Sequence, residues 1–180
     1  MTTVELVGGL EKRTLVLADH DPHWHETYVE QERRIRVALG PAAAQVEHIG
    51  STSVPGLAAK PIIDVLVTVD DITAEEDYLD QLLDAGYELR VREPGHRMVR
   101  TPARDVHVHV LERGDQAAED YLLFRDRLRA EAADRDLYER TKRALIEQDW
   151  PDMNGYAEAK TEVVTRIKER ARRAARPLES

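Results

Sequence analysis

The stretch Val46–Val69, VEHIGSTSVPGLAAKPIIDVLVTV, decides the fold. A short apolar strand, Val46–Ile49, runs into a tight turn, Gly50-Ser51-Thr52-Ser53. Pro55 and Gly56 break the chain again, and Lys60-Pro61 leads into a second, almost wholly apolar strand, Ile62–Val69. One residue interrupts that strand: Asp64, a carboxylate among Ile62, Ile63, Val65, Leu66 and Val67. Burying it is costly unless something pairs with it. The turn just upstream offers backbone N–H groups and hydroxyls, which together can surround a phosphate. The two features point to a phosphate cradle beside a metal-binding carboxylate. The same four turn residues also suit an ordinary connection in which Ser and Thr serve as caps.

Working outward, Asp21-Pro22 is a helix start, and Trp24, Tyr28, Gln31, Ile35 and Leu39 follow helical spacing until Gly40-Pro41. Thr14–Ala18 reads as an edge strand and residues 1–12 as loose chain. After Val69, the run Thr73-Ala-Glu-Glu76 is a capping box opening a helix with Tyr78, Leu79, Leu82 and Leu83 inward, stopped by Gly86. Tyr87–Arg92, His96–Thr101 and Asp105–Glu112 read as strands, the first two joined by a turn at Pro94-Gly95. Helices follow: from Asp115 to about Ala132, from Asp134 to Gln148, and from Asn154 to about Arg173, with a break at Trp150-Pro151 and a basic tail. A mixed β-sheet followed by a helical C-terminal third is an α+β arrangement.

In Asp105-Val-His107-Val-His109-Val, the three valines face one way and Asp105, His107 and His109 the other. If this strand lies near Asp64, then Asp64, His107 and His109 form a mixed nitrogen and oxygen metal site, suited to Mn, Fe, Ni or Zn rather than Mg. Otherwise the histidines bind phosphate, serve as general acid and base, or line a polar sheet face without a ligand. On the helices, Arg125, Lys142 and Lys160 each sit on or beside an apolar stripe, the lysines in two Tyr-x3-Lys units at Tyr138 and Tyr156. Cations on inward faces call for an anion, although such stems also snorkel to water or form ion pairs. Lys60, beside the Gly-Ser turn, adds to the set. His96, Arg97 and Arg100 lie on or next to a turn between two strands, within reach of a substrate, although exposed basic turn residues are common. Of Glu47 and His48, on opposite faces of a strand, at most one points into a cleft.

The segment HIGSTSVPGLAAKPIIDVLV resembles the signature of the GrpB-like proteins, a branch of the nucleotidyltransferase superfamily. A related module is fused behind dephospho-CoA kinase in some bacteria. The likeness extends from about Leu15 to Lys168 and includes the His-x-His strand and both Tyr-x3-Lys units. It implies a nucleotidyltransferase-like fold of one domain, with Gly50, Ser51, Thr52 and Ser53 at the nucleotide-phosphate turn and Asp64 as the catalytic metal-binding carboxylate. The superfamily usually carries a second carboxylate two residues along the same strand, where this chain has Leu66, and a third on a neighbouring strand. The expected ligands are a divalent metal (Mg or Mn, or another transition metal) and a small phosphate-bearing molecule such as a nucleoside triphosphate. The expected function is metal-assisted nucleotidyl transfer. The alternatives are a catalytically degenerate nucleotide- or CoA-binding module that regulates or chaperones a partner, and metal-dependent hydrolysis of a phosphoester.

Composition narrows the classes. The 180 residues are 42% hydrophobic and 34% charged, as expected of one globular domain. A net charge of −9 argues against broad binding to long nucleic acid. The absence of Cys excludes disulfides, zinc-thiolate sites and a thiol nucleophile. With no long apolar run or signal-peptide core, a cytoplasmic protein without a membrane partner is expected. No nucleophile elbow, Walker loop or dinucleotide glycine motif is present.

Overall fold

The structure, a computed structural model, describes residues 4–9, 16–148 and 153–175. In chain order the elements are β1 (Glu5–Leu6), α1 (His23–Leu39), β2 (Gln45–Ile49), β3 (Ile63–Val69), α2 (Leu79–Asp84), β4 (Glu88–Glu93), β5 (His96–Arg100), β6 (Val106–Glu112), α3 (Gln116–Ala130), α4 (Ala132–Ile146) and α5 (Met153–Ala175). The strands form one six-stranded sheet in the order β1-β4-β5-β6-β3-β2. Among the described residues only β3 and β6 run parallel; the other neighbours are antiparallel. This is the expected α+β arrangement, a mixed sheet followed by helices.

Strand alternation divides the sheet into two faces. On one, Val46, Ile63, Val65, Val67, Val69, Val99, Val106, Val108 and Val110 pack against Trp24, Tyr28, Ile35 and Leu39 of α1 and Leu79 and Leu82 of α2. On the other, Ile49, Leu66 and Leu111 meet Ala118 and Leu122 of α3. A third cluster joins Val54 and Leu57, which follow the Gly-Ser turn, to Leu128 of α3, Tyr138 of α4, and Val163 and Ile167 of α5. Ion pairs tie the three last helices together. Asp134 of α4 is buried between Arg127 of α3, at 2.6 Å, and Arg170 of α5. Asp120 of α3 bonds Arg172 of α5 at 2.6 Å and Lys168 at 3.3 Å. A carboxylate as buried as Asp134 requires such partners.

The start of α1 behaves as the sequence indicates: Asp21 Oδ1 accepts the N–H of His23 at 2.9 Å, and the stripe from Trp24 to Leu39 is buried. Asp115 likewise caps α3, accepting the N–H of Ala117 at 2.7 Å. The capping box at Thr73 does not form. Thr73 turns back to Asp71 instead, its hydroxyl donating at 2.6 Å and its N–H at 2.8 Å. The helix therefore starts only at Leu79, and Leu83 is exposed rather than inward. Of the expected strand Thr14–Ala18, residues 14 and 15 lie outside the described residues, and Ala18 makes an isolated bridge to Ala59. Glu5–Leu6, read as loose chain, instead forms a short edge strand on β4, helped by Arg92 pairing with Glu5 at 3.0 Å. The break at Trp150-Pro151 and the tail beyond Ala175 lie outside the described residues.

Leu128 is 1% exposed and links α3 to the loop that follows the turn. Replacing it with Ala is expected to cost about 2–5 kcal/mol of unfolding free energy in urea titrations. A loss below about 1 kcal/mol would show that the third cluster does not brace this loop.

Candidate functional site: a carboxylate, a histidine and three lysines around one cavity

On β3, every residue is buried except Asp64, which is partly open. Asp64 sits opposite Ile49 of β2 and His107 of β6, and Leu66 sits opposite His109. The parallel register therefore sets both histidines beside the carboxylate on the face away from the valine core. Asp64 Oδ1 lies 3.2 Å from His109 Nε2 and 3.6 Å from His107 Nδ1. All three donor atoms lie within 4.8 Å of one another. Burial opposes ionisation of Asp64, but its contacts with His107 and His109 outweigh it and hold the carboxyl well below its usual range. Gly50 closes the other side. Its φ is +71°, and a Cβ there would stand 2.7 Å from Asp64 Oδ2. Glycine is needed both for the backbone conformation and for the close approach.

The turn and the helices complete the site. Ser51, Thr52, Lys60, Asp64, His107, Lys142, Tyr156 and Lys160 line a cavity of about 210 Å³ together with Leu17 and Ile62. Lys142 is 3% exposed, donates to Ser51 Oγ at 3.1 Å and to the Ala58 carbonyl, and lies 4.7 Å from the centroid of Tyr138. Glu139, one turn earlier on α4, accepts the Ala58 N–H at 2.9 Å. The helix thus grips both polar groups of the Ala58 residue, which fixes Lys142 against the turn. An ammonium has three N–H donors, so Lys142 has one beyond these two bonds. Lys160 sits over Tyr156 in the same way, at 4.7 Å. Burial, reinforced by Lys160, pushes the Lys142 ammonium down to about 7. Burial also lowers Lys160, with Asp64 opposing the shift.

Other expected site residues lie elsewhere. The Ser53 hydroxyl donates to the Gly50 carbonyl at 2.6 Å and holds the turn rather than lining the cavity. Arg125 points to β2 instead: its guanidinium donates to Glu47 at 2.8 Å, to the His48 carbonyl at 3.1 Å and to Asp126 at 2.8 Å. The apolar stripe correctly puts Arg125 inward, but towards an existing carboxylate. Asp105 accepts the Thr101 hydroxyl at 2.6 Å, beyond the cluster. His48 is buried, stacked 4.7 Å from Tyr28, and lies 3.0 Å from Thr52 Oγ1. The Thr52 hydroxyl proton goes to the Ile62 carbonyl, so His48 donates from Nε2; burial, with Arg129 nearby, pushes its pKa down to about 4. Leu66 is fully buried against Ile49, Leu111 and Ala118, an apolar position on the face that carries Asp64. His96 and Glu93 do join the histidine cluster, His96 lying 3.2 Å from His109. The sequence placed His96 within reach of a substrate but not beside His109, because the β5–β6 register decides that.

A mixed sheet carrying an acidic and imidazole cluster, roofed by a lysine-bearing helical bundle, is the class of protein the geometry defines. The chain belongs to the GrpB family, whose model, described as GrpB protein, matches residues 14–170. A UPF0157 protein of Streptomyces coelicolor is 65% identical over 176 residues, spanning 98% of this chain and 94% of that one. A UPF0157 protein of Halalkalibacterium halodurans is 45% identical over 170 residues, 92% of this chain and 87% of that protein. The crystal structure of GrpB from Enterococcus faecalis is similar with a TM-score of 0.78 at 31% identity, covering 88% of this chain and 98% of that one.

The lowered pKa of Lys142 makes stability depend on pH. Between about 7 and its ordinary 10.5, the unfolded chain binds a proton that the folded chain does not. Stability therefore rises with pH through that window, by at most about 1.4 kcal/mol per unit, and the penalty is fully present below it. Urea titrations of the parent and Lys142→Met across this range are expected to give a parent-minus-mutant difference that climbs with pH. A flat difference would mean that Lys142 titrates as an exposed lysine does.

Proposed function

We propose that this is a nucleotidyltransferase-like protein that binds the phosphates of a nucleotide, or of another small phosphate-bearing molecule, together with a divalent metal. The observation that carries the reading is that Asp64 and His107 line the same cavity as Lys142, Lys160 and the Ser51 turn. Asp64 Oδ1 stands 3.2 and 3.6 Å from its histidine nitrogens, close to the roughly 3–3.5 Å separating neighbouring donors on one ion bound at about 2.1 Å. One carboxylate and two imidazoles suit Mn or a later transition metal better than Mg. When bound, the metal supplies Lewis-acid polarisation of a phosphoryl oxygen and neutralises its charge. Lys160 supplies further positive charge, as does Lys142 once an anion beside it favours its protonated form, and Ser51 orients one phosphate oxygen.

The size of the cavity constrains the ligand. About 210 Å³ is below the roughly 300–1,000 Å³ of sites that engulf whole drug-sized ligands. It accommodates phosphate groups, and the rest of the molecule extends along the adjoining open groove over Lys60, Ile62, Ala103 and Arg104, which shares Lys60 and Ile62 with the cavity. A binding module without turnover is the second reading. Leu66 favours it, since an apolar side chain buried where a second carboxylate is expected leaves fewer groups to hold a second metal.

Two measurements test the proposal. Calorimetric titration with Mn²⁺ is expected to show binding that weakens about tenfold or more in Asp64→Asn; equal affinities would remove Asp64 from the ligand set. Nucleoside triphosphate with Mn²⁺ is expected to raise the melting temperature by binding linkage, and Lys160→Ala to reduce that gain. Equal shifts in mutant and parent would remove Lys160 from the phosphate site. Release of pyrophosphate in the presence of an acceptor, dependent on metal, would separate the enzyme from the module.

A further inference from the structure

His109 is held from behind. Its Nε2 faces Asp64, and its Nδ1 lies 3.2 Å from Nε2 of His96. His96 in turn sets Nδ1 2.7 Å from Oε1 of Glu93. The two imidazoles are nearly coplanar, 11° apart with centroids separated by 5.4 Å, so their contact runs edge to edge through the nitrogens. Tyr121 of α3 packs on His109 with 5.8 Å between centroids. The arrangement follows from the sheet: β5 and β6 pair with His96 opposite Leu111 and Met98 opposite His109, so His96 and His109 are diagonal neighbours on the cavity face.

The chain of contacts selects a tautomer. An ionised Glu93 only accepts, so His96 Nδ1 carries a proton and, in a neutral ring, His96 Nε2 accepts. His109 then donates from Nδ1, which leaves a bare lone pair on Nε2 pointing at Asp64 Oδ1. Those two groups repel each other unless a proton or a cation lies between them. We propose that Glu93 and His96 are positioning residues of the metal centre, fixing the orientation and tautomer of His109 so that Nε2 is presented to a divalent cation shared with Asp64 and His107. This rests on the metal reading above. Carboxylate-to-histidine support behind a ligating imidazole is a general device for tuning metal affinity.

Cobalt(II) titrations of the full chain, followed by calorimetry and by visible absorption, test it. The parent is expected to bind with a defined ligand-field band. His96→Ala is expected to weaken binding about 10- to 100-fold and to move the band. His96→Gln keeps an acceptor for His109 Nδ1–H and is expected to recover to within about threefold of the parent. Glu93→Gln should shift affinity and band in the same direction by less, and it carries the test if His96→Ala does not fold. Parent-like affinity and spectrum in both His96→Ala and Glu93→Gln would overturn the positioning role while leaving the metal centre intact. A parent that takes up no Co²⁺ would instead overturn the metal reading, and this inference with it.

Discussion

A carboxylate on the inner strand of a sheet has to be paired, and the structure around Asp64 is what that pairing requires. β3 is flanked on both sides, so the acid has no direct way out to bulk water along its own sheet. Two imidazoles from the parallel neighbour set nitrogen atoms beside it, and Gly50 supplies the room, because any side chain there would meet the carboxylate at 2.7 Å. An arrangement that keeps Asp64 ionised, partly open and beside nitrogen donors is poor value for stability alone, since apolar residues of similar volume pack such positions without desolvation cost. It is well suited to holding a cation.

The helical half answers with the opposite charge. Lys142 and Lys160 come from separate helices and reach the same cavity as Asp64. Their placement is not left to flexible stems. Glu139 and Lys142 grip Ala58, the cluster around Leu128, Tyr138 and Ile167 seats Val54 and Leu57, and Asp134 and Asp120 lock α3, α4 and α5 into register. The loop from Val54 to Ala59 thus connects the two halves mechanically: it leaves the turn, crosses the helical core and returns to β3. Acid and imidazole on one wall with ammonium groups on another suit a polyphosphate and its counter-ion better than either alone.

Much of this was legible from local pattern. The alternation in DVHVHV assigns the valines to the core and the histidines to the other face without any knowledge of neighbours, and the helical spacing of Trp24 to Leu39 names the buried stripe of α1. What pattern cannot supply is register and partner choice. That β6 lies parallel to β3 with Asp64 opposite His107 is a property of the whole sheet, and so is the diagonal placement of His96. Arg125 illustrates the same limit: its spacing shows that it points inward, but only the packing of α3 over β2 shows that Glu47 takes it. Thr73 failed as a cap because Asp71, two residues away, competes for its hydroxyl, a contest between local hydrogen bonds that the capping pattern does not rank.

The most direct measurement is anomalous diffraction at the manganese edge from crystals grown with Mn²⁺ and inorganic pyrophosphate. The account predicts one peak within about 2.2 Å of Asp64, His107 and His109 donor atoms, with phosphate density between it and the ammonium groups of Lys142 and Lys160. Manganese at another place on the surface, or a cluster that closes on itself with His109 donating to Asp64 in the presence of both ligands, would contradict it.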